Sequence, residues 1–172
     1  MGFLRGLGNE AVELAQSEQS TQERASKLRN LLEEGFDAEL IGRFVLGRYW
    51  NIASEQQREE YMRLFKDMIV LTFARRFQDY SGETFEITGT KQRGESDFYV
   101  NSVVHRPANA DVKVDWRVRC SDRCRIIDVV AEGVSQVQTY RSEYGAIIQN
   151  GGGSVNALLD ALRTRVNQLE AG

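Results

Sequence analysis

Residues 125–148 read RIIDVVAEGVSQVQTYRSEYGAII, and the hydrophobic period of this stretch changes at Gly133. Before Gly133 the period is two, which predicts a strand. We expect this strand to have one face of Ile127, Val129 and Ala131 and another of Ile126, Asp128 and Val130. After Gly133 the spacing is helical, with one stripe of Val137, Tyr140, Arg141, Tyr144 and Ile148. A strand followed by a helix that folds back over the sheet encloses either a core or a cavity for an apolar ligand.

The composition is that of a soluble globular protein. The chain has 172 residues, 41% of them hydrophobic and 27% charged, so we expect one domain spanning residues 1–172. A net charge of −3 gives no reason to expect nucleic-acid binding. No apolar run approaches the roughly 20 residues of a membrane helix. Residues 1–14 have too short an apolar run for a signal peptide, which taken alone indicates the cytoplasm.

The order of periodic segments predicts an α+β fold in three parts. Residues 1–82 are helical, with helices over 3–17 and 21–34, one capped by Asp37, and one that starts with a Ser54–Gln57 capping box and ends at residues 80–82. Residues 83–132 form an antiparallel sheet, whose four strands we expect at 83–90, 97–105, 111–120 and 124–132. Residues 133–172 are helical again. The layout is a sheet of about four strands wrapped by about six helices.

The two cysteines, Cys120 and Cys124, flank three residues between the last two strands. A hairpin loop of that length would place them opposite one another, close to disulfide geometry. Two free thiols at an exposed turn are the equal alternative. Zinc is a weaker one, because the chain has a single histidine and no second cysteine pair.

No catalytic set is evident in the chain. Gly133–Ser135 begins like a nucleophile elbow, but Val137 stands where the second glycine belongs, and we interpret Ser135 as a helix cap. Asp128 is either a buried acid or the partner of an arginine such as Arg141. No metal-ligand spacing is present. We therefore expect a protein that is not an enzyme and that needs no metal or cofactor.

The chain resembles the MlaC, or toluene-tolerance, family of periplasmic lipid-binding proteins. The matching segments agree in order and spacing over nearly the whole chain. They are FVLGRYW (44–50), SEQQREEYMRLFKDMIVLTFARRFQDYSGETF (54–85), VDWRVR (114–119), IIDVVAEGVSQVQTYRSEYGAII (126–148) and GGSVNALLDALR (152–163).

This resemblance implies a fold similar to the cystatin and nuclear-transport-factor group, with a curved sheet and acyl chains inserted between sheet and helices. It implies a monomeric phospholipid carrier in the periplasm of Gram-negative bacteria. Such a carrier passes lipid between an outer-membrane lipoprotein complex and an inner-membrane ABC transporter with an MCE-domain ring. Phospholipid is then cargo rather than cofactor. Family members are made with a signal peptide, which is absent here, so the localisation rests on the resemblance.

Face and period, supported by the resemblance, predict the lining of a lipid pocket. The expected residues are Phe44, Tyr49, Met68, Phe73, Trp116, Val118, Ile127, Val129, Val137, Tyr140 and Tyr144, with Arg141 at the mouth or headgroup. Some of these residues will belong to an ordinary core. The alternatives are an interaction module with a dry core, an enzyme on the same fold, and a carrier of another apolar lipid such as a hopanoid.

Overall fold

The computed structural model of the protein describes residues 2–16, 21–78 and 82–171. This part of the chain contains seven helices and one antiparallel sheet, which confirms the α+β prediction. The helices are α1 (Gly2–Gln16), α2 (Thr21–Gly35), α3 (Ala38–Leu46), α4 (Tyr49–Ile52), α5 (Glu55–Gln78), α6 (Gln136–Asn150) and α7 (Val155–Ala171). The strands follow one another in the sheet as β1 (Thr84–Arg93), β2 (Asp97–His105), β3 (Val112–Cys120), β4 (Cys124–Ala131) and β5 (Val134–Ser135). The predicted ends of the first helix at Ser17 and of the long helix at residues 80–81 lie outside the described residues.

Side-chain caps start the helices where the sequence predicts them. The Asp37 carboxylate accepts a hydrogen bond from the Leu40 amide, and Ser54 and Gln57 exchange two hydrogen bonds of 2.8 and 3.1 Å as a capping box. The predicted third helix, however, is two helices. Gly47 has φ of +62°, a conformation that ends α3 before Tyr49 and starts the short α4 beyond it.

The sheet extends beyond the prediction in two places, at the end of its first strand and after its fourth strand. Strand β1 continues through Lys91 to Arg93, where a break was expected, because Lys91, Gln92 and Arg93 pair with Tyr99, Phe98 and Asp97 of β2. Gly133 does not lead directly into a helix. Glu132 and Gly133 both have positive φ and form a two-residue hairpin turn, and the two-residue β5 then pairs with the end of β4.

Strand β4 does not alternate as predicted, because a bulge interrupts its pairing with β3. Trp116 pairs with Val129, but Val118 pairs with Ile126, so Ile127 is the extra residue. Cross-strand partners share a face. Ile126 therefore lies on the same face as Val129, and its assignment to the opposite face was wrong.

The buried apolar side chains form two clusters. The helical cluster contains residues of every helix from α2 through α7. It includes Tyr61, Phe65, Ile148 and Leu158, each almost completely buried. The sheet cluster is smaller and consists of Leu4 from α1 with Val100, Val118 and Ile126. Phe36, half-buried, packs against both clusters. An apolar boundary therefore lies between the sheet cluster and the helical cluster.

The tip of the β3–β4 hairpin carries a disulfide bond. Cys120 and Cys124 are cross-strand partners with Cα atoms 3.9 Å apart, and their sulfur atoms are bonded. Both residues also pack against the sheet cluster. Of the alternatives left open for the two cysteines, the structure therefore contains the disulfide.

Candidate functional site

The helices reach the sheet mainly at two strands. Helix α1 packs on β1, while α2, α3 and α6 pack on β4. Helix α5, the longest, packs instead on α7 and α2. Leu4 of α1 joins Val100 and Val118 in the sheet cluster, and the remaining apolar face of the middle strands β2 and β3 lies between two lines of helical support. We call the space over this face the sheet groove.

Three apolar side chains on this sheet face, Val100, Val118 and Ile126, are buried in the sheet cluster, whereas eight others are only half-buried. Cross-strand pairing puts them on the same side as Trp116, as the register of β1 to β4 shows. The eight half-buried residues are Phe85, Ile87, Phe98, Val104, Val112, Val114, Trp116 and Val129. A face of this size that stays partly open to solvent is uncommon in a packed core and typical of a binding surface.

The polar atoms of this face satisfy one another. Trp116 Nε1 donates a hydrogen bond to Ser102 Oγ at 2.9 Å, and Ser102 Oγ donates to the Val114 carbonyl at 2.5 Å. Ser102 is buried, and Trp116 packs edge-to-face on Phe85 with ring centroids 6.1 Å apart. The face therefore offers an apolar guest few unpaired polar groups.

The residues predicted to line one pocket divide between the two clusters. Trp116, Val118 and Val129 belong to the sheet cluster or pack against it. On the helical side, the structure brings together Tyr49, Met68, Val137, Tyr140 and Tyr144. Of these eight residues, Trp116, Val129, Val137 and Tyr140 are half-buried and could face a guest, whereas the other four are buried.

Four predicted lining residues do not join either cluster. Phe44 and Phe73 are exposed, at 39% and 44% of their accessible surface, because their helix positions lie away from the buried stripes. Ile127 is buried at the bulge of β4. Arg141 is exposed, and its guanidinium carbon lies 4.6 Å from the centroid of the Phe44 ring.

Asp128 caps helix α6 and does not pair with Arg141. Its carboxylate accepts hydrogen bonds from Ser135 Oγ at 2.6 Å and from the Val137 amide at 3.3 Å. Ser135 Oγ in turn accepts from the Gln138 amide at 3.1 Å. The carboxylate at a helix N-terminus is stabilised by the helix dipole, so Asp128 fixes α6 to β4.

Sequence reasoning missed the pocket that the structure opens at the other end of α6. It is a surface pocket of about 500 Å³ lined by Arg48, Tyr49, Ile52, Gln149 and Gly153. Tyr49 was predicted to contact ligand, but in the sheet groove. The cation and aromatics at residues 48–50 were the available signal. Sequence periodicity gives no information about which loop they would meet.

Two buried tyrosines on facing helices differ in how their hydroxyl groups are satisfied. Tyr61 Oη donates a 2.7 Å hydrogen bond to the Gly42 carbonyl, whereas Tyr144 Oη is buried without a hydrogen-bond partner among the described residues. The rings meet edge-on with centroids 6.5 Å apart. Burial raises the pKa of both phenols well above the ordinary value, so both remain neutral.

We expect opposite effects of removing these two hydroxyl groups. Tyr61→Phe should lower the free energy of unfolding by about 1 kcal/mol, because it deletes a buried hydrogen bond. Tyr144→Phe should leave it unchanged or raise it by up to about 1 kcal/mol, because it removes an unpaired buried polar group. Urea unfolding of both variants measures the difference. An equal loss for the two variants would show that Tyr144 Oη has a partner.

The single histidine and Ser135 make hydrogen bonds to carboxylates. His105 lies between carboxylates of Glu86 and Asp111 at 2.9 and 3.0 Å, and the hydrogen bond to Glu86, followed by that to Asp111, raises the pKa of the imidazole. Ser135 instead donates to Asp128. Among the described residues, no group of three or more His, Cys, Asp and Glu side chains is placed to hold a metal ion. Within the same residues, no helix is long and apolar enough to cross a membrane.

The sheet face opposite the groove is charged and carries an ion-pair cluster. Asp97 accepts hydrogen bonds from Arg119 Nε at 2.8 Å and from Arg117 Nη2 at 3.0 Å. The Arg119 bond, followed by that of Arg117, lowers the pKa of Asp97 to about 2. The cluster therefore ties the start of β2 to β3.

Asp97 should make stability depend on pH in the acid range. A lowered carboxyl pKa contributes stability that is fully present above the unfolded value near 4 and is lost as pH falls through about 2. We expect Asp97→Asn to cost about 1 to 2 kcal/mol at pH 7, a figure reduced for the solvent exposure of both arginines. Urea unfolding from pH 7 to pH 2 should show the difference from wild type vanish at the acid end. A constant difference would contradict this assignment.

Comparisons with known proteins agree with the geometry. A family model described as MlaC protein matches residues 9–164. The chain is 27% identical over 146 residues to the intermembrane phospholipid transport system binding protein MlaC of Haemophilus influenzae. That match covers 82% of this chain and 65% of the Haemophilus protein, so the chain spans a little under two thirds of that relative.

A solved structure has the same fold. It is the phospholipid-binding protein from Ralstonia solanacearum in complex with a phospholipid, and it superposes with a TM-score of 0.83 at 20% sequence identity. The superposition covers 98% of this chain and 97% of that one. Since the family model covers most of the sequence, the chain belongs to the MlaC protein family.

Proposed function

We propose that this protein is a periplasmic carrier that holds the acyl chains of a phospholipid in the sheet groove. Its role would be to shuttle lipid between an outer-membrane lipoprotein complex and an inner-membrane ABC transporter complex, as maintenance of outer-membrane lipid asymmetry requires. The observation that carries the proposal is the set of half-buried apolar side chains on β2 and β3 between two lines of helical support. The Ralstonia protein of the same fold was solved with a phospholipid.

The energetics of burial suit such a carrier. Each methylene moved from water to an apolar site contributes about 0.8 kcal/mol, so two ordinary acyl chains supply well over 10 kcal/mol before the costs of binding. Half-buried side chains such as Trp116 and Val129 would lose their remaining exposure to the same guest. Because burial of the acyl chains supplies the affinity, the headgroup needs only a few contacts.

Slow release follows from the same affinity. A lipid held by chain burial dissociates slowly, because most differences in affinity appear in the dissociation rate. Efficient delivery then requires a partner that changes the groove. Helices α1 and α6, which reach the sheet from opposite sides at β1 and β4, are the elements whose movement would open it.

Native mass spectrometry of the purified protein tests the proposal. We expect a stoichiometric adduct of phospholipid mass, which extraction then identifies. An adduct of another apolar lipid, such as a hopanoid, would keep the carrier function and change the cargo. A bare chain that takes up no lipid from phospholipid vesicles would reject the carrier function and favour an interaction module with a dry core.

A further inference from the structure

Four arginines, on α3, before α4, on α5 and on α6, lie over aromatic rings. The guanidinium carbons of Arg43 and Arg58 are 5.2 and 5.0 Å from the ring centroid of Trp50. Arg48 lies 5.0 Å from the ring of Tyr49, and Arg141 lies over Phe44 as described above. We call these four arginines and their rings the arginine–aromatic surface.

Within the described chain, these four arginines lack acidic partners, as do others such as Arg93 and Arg165. The arginines that form an ion pair with a carboxylate there are Arg29, Arg63, Arg117, Arg119 and Arg163. Among the described residues, no carboxylate oxygen lies within 4.0 Å of Arg43, Arg48, Arg58 or Arg141. The acidic residues Glu55 and Glu59 lie close to Arg58 in the sequence, but neither forms an ion pair with these arginines.

The rings hold the guanidinium groups in place. A cation over an aromatic face is attracted by the electrons of the ring, and a guanidinium group in such a contact keeps N–H donors for other partners. Arg58 uses Nε on the Trp50 carbonyl at 2.8 Å, and Arg48 uses Nη2 on the Tyr49 hydroxyl at 3.0 Å. Each still has further donors. Planar donors held in this way fit carboxylate groups.

A pocket adjoins these charges. Arg48 and Tyr49 form part of the 500 Å³ surface pocket, together with Ile52 and the α6–α7 loop. Ile52 is 66% exposed, the most exposed of the large apolar side chains in the described chain. The Arg48 cation and the Ile52 side chain in the lining match a ligand that combines negative charge with an apolar side chain.

We propose that the arginine–aromatic surface docks an acidic segment of a partner protein and that an apolar side chain of this segment enters the adjoining pocket. The proposal rests on the proposed carrier function, for which it names the chemistry of the docking partner. A protein segment fits better than a membrane surface, because a concave pocket suits a protruding side chain.

Photocrosslinking in the cells that make the protein tests the proposal. A benzophenone amino acid replaces Ile52, and the same amino acid replaces Val134, which is 54% exposed outside this surface, as the control. We expect the probe at position 52 to capture a protein peptide that carries Asp or Glu beside an apolar residue. Arg48→Glu should reduce this product by about tenfold or more through like-charge repulsion. Arg165→Glu, an equal charge change at an exposed site on α7, should not reduce it.

The remaining outcomes overturn the proposal. They are a lipid adduct, a crosslink to a second copy of this chain, a product equally strong from position 134, a product insensitive to Arg48→Glu, and no product. Native mass spectrometry of Arg48→Glu separates this failure from that of the carrier function. If the docking proposal is right, that variant keeps its bound phospholipid and melts like wild type while its crosslink is lost.

Discussion

Replacing Val129 with tryptophan should reduce the phospholipid that purifies with the protein by more than about tenfold. Val129 is half-buried on β4, where it pairs with Trp116 on the face of the sheet groove. An indole there would occupy the space of several methylenes, and two lost methylenes already cost about 1.6 kcal/mol, more than a tenfold change in affinity. Native mass spectrometry and lipid extraction give the bound fraction.

The control for this substitution is Val103→Trp. Val103 pairs with Glu86 and Lys113, so it lies on the opposite, charged face of the same sheet. The Val103→Trp substitution adds the same bulk outside the sheet groove and should leave the amount of bound lipid unchanged. Val137→Trp on α6 should behave like Val129→Trp if the guest lies between helix and sheet. Equal lipid content in the Val129 and Val103 variants would place the lipid elsewhere, provided that both variants melt cooperatively.

Periodicity sufficed for most of the fold, because burial of one face dictates both element type and boundary. Strand β3 alternates between apolar and charged residues in the sequence, and the structure places Val118 inward and Arg117 and Arg119 outward. Helix α7 buries an apolar stripe whose spacing of three and four residues is visible in the sequence. The stripe is Val155, Leu158, Leu159, Leu162, Val166 and Leu169. Such patterns are local, and local patterns are readable from the chain alone.

The departures arise from events that periodicity does not encode. One extra residue at the β4 bulge moved Ile126 to the face of Val129, and a positive φ at Gly47 separated Tyr49 from the helix that carries Phe44. The bulge and the break at Gly47 therefore changed which of the predicted pocket residues lie close to one another. The sequence also contained the cations of the arginine–aromatic surface but not their neighbours, because the contact of Arg141 with Phe44 joins residues almost a hundred positions apart.

Replacing Leu158 with alanine should lower the free energy of unfolding by about 2 to 5 kcal/mol, the usual cost of emptying a leucine site in a packed core. Leu158 is 0% exposed in the helical cluster, on the helix that packs most extensively on α5. Few surrounding side chains can collapse into the space, since Tyr61 and Phe65 are themselves almost fully buried. Urea unfolding measures the loss. Asn167→Ala, exposed on the same helix, should stay within about 0.5 kcal/mol of wild type.

The Leu158→Ala variant also distinguishes residues of the helical core from residues that line the sheet groove. Leu158 belongs to the cluster that excludes the sheet, whereas Val129 packs against the sheet cluster. Under conditions where Leu158→Ala is fully folded, its bound phospholipid should therefore equal that of wild type, although the protein is far less stable. Val129→Trp should show the reverse, with little loss of stability and a large loss of lipid. If folded Leu158→Ala loses its lipid, the acyl chains extend into the helical cluster, and the boundary between the two clusters does not mark the guest's position.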